Sequence, residues 1–215
     1  MKQPKRNVAQ VNWESEHITF RSIWHAAQVL RQAGEKDPSN GFWSLMAATV
    51  LVYTAYEGFA NGIIQRLYPE VWQEEKIRFR TGDYRGTLGK TRFLAERLKV
   101  ILKRTSRPYH TVAELHSWRN DLVHPKTVRL KGTTRADAYA KKQRRAIPAA
   151  FTKLARSTFV PRCFDDVSAL ADTLLHAAAE EHWEAVRDLG DSAFWGPVGS
   201  GGAHLKDRVS GRGHE

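Results

Sequence analysis

The chain has a single cysteine, Cys163, in 215 residues. It therefore cannot form an internal disulfide or a cysteine-based zinc site. A lone thiol suits a reducing compartment, and its expected place is as a small buried hydrophobe, not as a nucleophile. Long hydrophobic runs are missing too. The most apolar stretch, Phe42 to Tyr56, is followed at once by Glu57 and Asn61. It falls short of the roughly 20 residues that a membrane span needs, so a buried core helix is expected and no membrane partner. The basic start Met1-Lys2-Gln3-Pro4-Lys5-Arg6 leads into no apolar segment, so no signal peptide is expected and the expected location is cytoplasmic. Strand signals are nearly absent, and no internal repeat is visible. Acidic residues are scarce in one place: residues 126–156 hold ten Lys or Arg against one acid, Asp137, and so carry most of the net charge of +11. Such a concentration points to an anionic partner, with nucleic acid first, or else to a solvated, solubilising loop.

What remains reads as helices. With 41% hydrophobic and 10% aromatic residues there is enough for a real core in one domain. A first helix is expected over about Glu14–Ala33, stopped by Gly34 and the loop Lys36-Asp37-Pro38-Ser39-Asn40-Gly41. A long second helix, Phe42–Leu67, is apolar nearly all round in its first half and should be central. Residues 69–86 suggest a short helical turn followed by a loop. A third helix is expected over Thr87–Lys103, from Leu88, Phe93, Leu94, Leu98, Ile101 and Leu102 at helical spacing. A fourth covers Thr111–Val123, with Val112, Leu115, Trp118 and Leu122 as its stripe. The basic segment follows, with a short helix near Ala149–Arg156. After Pro161 comes a fifth long helix, Asp165–Leu189, whose first acids suit its positive end. From Gly190 the glycine-rich composition has no apolar period and reads as a disordered tail. The expected architecture is therefore all-α: a four- to five-helix antiparallel bundle over 14–189, with an arm at 1–13, a basic insert at 126–156 and a tail at 190–215.

Chemistry concentrates at Trp118-Arg119-Asn120-Asp121-Leu122-Val123-His124-Pro125-Lys126. An Arg-x4-His spacing occurs by chance about once in a chain of this composition, so its setting carries the argument. Pro125 disfavours α geometry at His124, which places His124 at a helix end. Asn120 and His124 share a face. A helix C-terminus favours the protonated imidazole, so His124 is suited to give a proton to a leaving 5′-oxygen or to take one from a ribose 2′-hydroxyl. Arg119 can hold a phosphate bidentately and stabilise charge on the phosphorane. Asn120 can fix the imidazole or bind a phosphate oxygen. Cleavage of RNA without a metal or cofactor needs those parts, and such cleavage does not work on DNA because the 2′-hydroxyl is the nucleophile. One chain offers one such histidine; two fourth helices packed as a homodimer would supply two His124 and two Arg119 to one cleft.

The second helix adds Tyr53, Glu57 and Asn61 as a polar stripe. These are either buried side chains that bond their neighbours, or Glu57 orients Arg119 or His124. His110 and His116 read as surface or capping histidines, without the clustering of a metal site.

Two segments resemble the HEPN superfamily (higher eukaryotes and prokaryotes nucleotide-binding). Ala55-Tyr56-Glu57-Gly58-Phe59-Ala60-Asn61 is similar to its Glu-x3-Asn helix. Arg119-Asn120-Asp121-Leu122-Val123-His124 is similar to its R-x4–6-H motif. The resemblance implies a dimerising helical bundle with the motif in the shared cleft. It also implies metal-independent endoribonuclease activity, in toxin–antitoxin or phage-defence settings with an antitoxin protein as a partner. On that likeness Arg119 and His124 are the catalytic pair, Asn120 the polar third, and Glu57, Asn61 and Asp121 supporting groups. Members paired with a nucleotidyltransferase antitoxin carry a tyrosine two residues after the histidine, where this chain has Lys126. An RNA grip is expected from Lys126, Arg129, Lys131, Arg135, Lys141, Lys142, Arg144 and Arg145. The expected activity is cleavage of single-stranded RNA to a 2′,3′-cyclic phosphate. Its rival is a non-catalytic module of the same fold binding RNA, a nucleotide or a partner protein. A DNA-binding regulator fits less well, because no basic recognition helix is apparent.

Overall fold

A computed structural model describes residues 13–37, 39–124, 154, 158–195 and 199–203. The eight basic residues expected to grip RNA, and all of the expected short helix at 149–156 except Leu154, lie outside the described residues. Seven helices occur among those described: α1 (Thr19–Lys36), α2 (Gly41–Leu67), α3 (Pro69–Gln73), α4 (Glu75–Arg78), α5 (Gly86–Arg97), α6 (Tyr109–Val123) and α7 (Phe159–Val186). α7 runs into a 3-10 turn, Arg187–Leu189. The five long ones make an all-α antiparallel bundle, with α2 touching α1, α5, α6 and α7. α2 is central because its apolar residues wrap most of its circumference: Val52, Ala55, Tyr56, Phe59, Ala60, Ile63 and Ile64 are all fully buried. No helix among the described residues is long and apolar enough to cross a membrane.

α1 and α2 form a tight hairpin. Asp37 accepts the backbone N–H groups of Ser39 and Asn40, each at 3.0 Å, which lowers its carboxyl pKa and shapes the turn. The helices then close where Gly34 meets Gly41. A Cβ on Gly41 would stand 2.0 Å from the Gly34 carbonyl oxygen, so only glycine fits there. α6 presents the expected stripe, with Val112, Leu115 and Trp118 buried against the core. Cys163, on α7, is fully buried and in no disulfide.

Four expected boundaries are corrected. Residues 13–17 form a strand, β1 (Trp13–His17), not the start of α1; it pairs antiparallel with β2 (Gly199–Ala203). The domain thus draws in backbone from both expected appendages. The third helix ends at Arg97, six residues early. Lys99 takes the left-handed conformation (φ 58°), Val100 N–H reaches back to Ala95 O at 2.7 Å, and Lys99 N–H to Glu96 O at 3.3 Å. This is a helix-ending 6→1, 5→2 pair of bonds that normally uses glycine, so a lysine there hid the stop. Ile101 beyond it is 85% exposed. α7 starts at Phe159 and carries Pro161 in its first turn, where proline's missing N–H would have had no helical partner anyway.

The last correction concerns the tail. Beyond Gly190, Ala193 and Phe194 are buried. Phe194 stacks on Trp24 at 4.2 Å and 8°, and meets Phe20 and Phe59 edge-on or tilted. The buried Arg21 fixes this segment by donating to the carbonyls of Leu189, Ser192 (2.8 Å) and Ala193 (3.1 Å). Burial lowers its pKa, with Asp188 opposing. Arg66 holds Asp188 bidentately at 2.7 and 3.0 Å. The packed domain therefore runs to about Trp195. Its last stretch is irregular chain with no apolar period, which is why composition read it as tail.

Two stability effects are expected. Phe194→Ala should cost about 3–5 kcal/mol in denaturant unfolding, a core-sized loss that a solvated tail would not show. Lys99→Gly should stabilise by roughly 0.5–1 kcal/mol, by removing the left-handed penalty of a side-chain-bearing residue. A neutral or destabilising result would overturn that account of the helix end.

Candidate functional site

α6 and its C-cap carry a polar residue every fourth position: His116, Asn120, His124. Such spacing places His116 and Asn120 along one face of the helix. His116 lies beside Tyr53, which α2 presents from the opposite side, and the two rings are 5.5 Å apart. One imidazole nitrogen, Nδ1, bonds the Tyr53 hydroxyl; the other, Nε2, bonds Asn120 Nδ2 at 3.0 Å. Arg119 Nη1 donates to Asn120 Oδ1 at 3.2 Å. This last bond orients the amide, because a guanidinium can only donate. Asn120 Oδ1 must face Arg119, so Nδ2 donates to His116 Nε2. His116 Nδ1 then carries the proton and donates to Tyr53. The Tyr53 hydroxyl also interacts with Thr87 on α5, and Thr87 Oγ1 donates to Glu57 Oε1 at 2.8 Å. A continuous polar chain thus runs Arg119–Asn120–His116–Tyr53–Thr87–Glu57, from a cation to an acid.

The electrostatics agree with that assignment. Burial raises the Tyr53 pKa to about 12, so its hydroxyl stays protonated. Burial, with the Arg119 charge adding to it and Glu57 opposing, lowers the pKa of His116 and keeps its ring neutral. The Arg119 guanidinium lies 5.7 Å from the centre of the Tyr53 ring, while its Nε is buried without a hydrogen-bond partner. Arg92 and Arg162 also carry a buried, unpartnered Nε, so that feature alone does not mark a site.

The structure thus joins Arg119, Asn120 and Glu57, and it enlists His116. The reading of His116 as a surface or capping residue is corrected; His110 is exposed, as expected. Asn120 does fix an imidazole, but that of His116 and not that of His124. His124 is exposed at the end of α6, where its backbone N–H caps the helix by donating to Asn120 O at 3.0 Å. Glu57 reaches the motif through Thr87 and Tyr53; no bond from it to Arg119 or His124 occurs among the described residues. Asn61 sits apart and accepts from Lys90 Nζ at 2.7 Å, the same ammonium that bonds Glu75. Asp121 is exposed. His116, Thr87 and Lys90 were missed from sequence, yet His116 stands four residues before Asn120 and three before Arg119. Among the described residues no three His, Cys, Asp or Glu side chains cluster as a metal site would need.

Protonating His116 would turn both ring nitrogens into donors and set Nε2–H against the Asn120 amide N–H. The unfolded chain, with an ordinary histidine pKa of 6.5, binds that proton more readily than the folded one. Stability from the network is therefore full above about pH 6.5 and is lost as pH falls below it, towards the folded pKa. Melting temperatures from pH 8 to pH 5 should fall more steeply for the wild type than for His116→Gln. Parallel curves would show that His116 does not govern this window.

Searches for a matching family model, curated protein or solved structure each found none.

Proposed function

We propose that this chain is a metal-independent endoribonuclease that cuts single-stranded RNA. The 2′-hydroxyl attacks the neighbouring phosphorus, the P–O5′ bond breaks, and a 2′,3′-cyclic phosphate and a 5′-hydroxyl result. The observation that carries this reading is the end of α6. Arg119 is positioned by Asn120 and His116, and exposed His124 follows at the helix terminus, just before the strongly basic residues 126–156. In this reading Arg119 binds the scissile phosphate and offsets the charge that builds on it. His124 moves the proton, as base to the 2′-hydroxyl or acid to the leaving 5′-oxygen. The likeness of α2 and α6 to the HEPN helices supports the same assignment, and with it a homodimer that pairs two α6 helices, a cytoplasmic setting and a toxin or phage-defence role restrained by an antitoxin protein. Val123, a 46% exposed apolar residue beside His124, suits such a pairing.

One observation favours a second reading, a non-catalytic module binding RNA, a nucleotide or a protein. Arg119 and Asn120 are built into a network with His116, and His124 stands outside it. There the same residues would serve the fold alone.

The two separate on labelled single-stranded RNA and matching DNA incubated in EDTA. Wild type should cut RNA and leave DNA intact, and His124→Ala and Arg119→Ala should each lose about 10²–10⁴-fold in rate. Equal RNA binding by wild type and variants, with no cleavage by any, would establish the binding module instead.

A further inference from the structure

A groove of about 450 Å³ opens beside α2, between the start of α1 and α3. That volume is in the range of small-ligand sites. It exists because α2 has Gly58 and Gly62 there, leaving Phe20 as the wall. Glu57, Asn61 and Gln65 line it at successive turns of α2, and Trp72 of α3 stands at its side.

The chemistry of the lining is directional. Glu57 Oε1 accepts from Thr87 and keeps a second lone pair, and Oε2 has no partner among the described residues. Lys90 can only donate, so it fixes the Asn61 amide with Oδ1 towards the ammonium. Asn61 Nδ2 is left as a free donor one helical turn from the free acceptor of Glu57. Among the described lining residues the cation is Arg66, and it is bound by Asp188. A phosphate would meet the Glu57 carboxylate with no free positive charge, so the groove suits a neutral planar group. A guanidinium would satisfy Glu57 but has only donors to offer Asn61.

We propose that this groove is a base-recognition site selective for guanine. The guanine edge has two adjacent donors, N1–H and the 2-amino group, for Glu57 and an acceptor, O6, for Asn61 Nδ2. The bases adenine, cytosine and uracil each bring an acceptor or nothing where guanine brings its second donor. The Trp72 indole, with the Lys90 ammonium 5.6 Å from its ring centre, supplies a surface on which a base stacks. The inference rests on the ribonuclease reading for its biological sense: it assigns Glu57, at the far end of the polar chain from Arg119, to choosing the nucleotide.

The test uses the full chain. Affinities for the 5′-monophosphates of guanosine, inosine, adenosine, cytidine and uridine are measured by calorimetry, and cleavage positions are mapped on a mixed-sequence RNA. Guanosine monophosphate should bind tightest. Inosine monophosphate, which lacks only the 2-amino group, should bind roughly tenfold or more weakly. Glu57→Gln, which keeps an acceptor for Thr87, should erase that difference with little change in melting temperature. The inosine comparison needs no variant, so a poorly folded mutant leaves the proposal testable. Equal binding of all five nucleotides, or of none, overturns it, as does displacement of guanosine monophosphate by argininamide at similar concentration. Cleavage without guanine preference overturns the groove assignment and leaves the ribonuclease standing. Selective guanine binding without any cleavage upholds the groove and removes the ribonuclease.

Discussion

The buried hydroxyl of Tyr53 is the constraint around which the polar half of this bundle is arranged. A phenol oxygen taken out of water must be hydrogen-bonded or cost on the order of 1–3 kcal/mol. Tyr53 takes its partners from two other helices: His116 on α6 and Thr87 on α5. Three helices are thereby held at one separation and one rotation. Apolar packing is non-directional and tolerates sliding; these bonds do not. Arg119 and Asn120 inherit their positions from this arrangement, because the amide that holds the guanidinium also binds the imidazole held by the phenol.

The chain of bonds has a direction. From Arg119 to the Tyr53 hydroxyl every donor points the same way, and each role follows from the last, beginning with a guanidinium that can only donate. Such an array polarises along its length, with an unlike charge at each end. One end lies at the motif helix and the other at the groove beside α2.

Much of the fold was legible in the sequence because helices declare themselves by period. Val112, Leu115 and Trp118 repeat at the core spacing and are buried. Gly34 and Gly41 marked the hairpin they close. What escaped was held by other means. Lys99 ends α5 in a conformation usual for glycine, and Phe194 enters the core from irregular chain. Of the site, the Arg119–Asn120 pair and the Tyr53–Glu57 stripe could be read, because each lies within one helix. His116 could not be given its role, since that depends on Tyr53 facing it from a helix 63 residues away. A periodicity argument sees one helix at a time, whereas a network is a property of several.

The clamp of Arg21 has a consequence for how the molecule is made. The carbonyls that receive its guanidinium lie 168 to 172 residues later in the chain. During synthesis, α1 emerges early with a cation on the face that must be buried. The bonds to Leu189, Ser192 and Ala193 can form only after those residues have been translated, and burying the guanidinium in an apolar setting without them is costly. The bonds that tie α1 to the end of the domain are thus among the last that the growing chain can make.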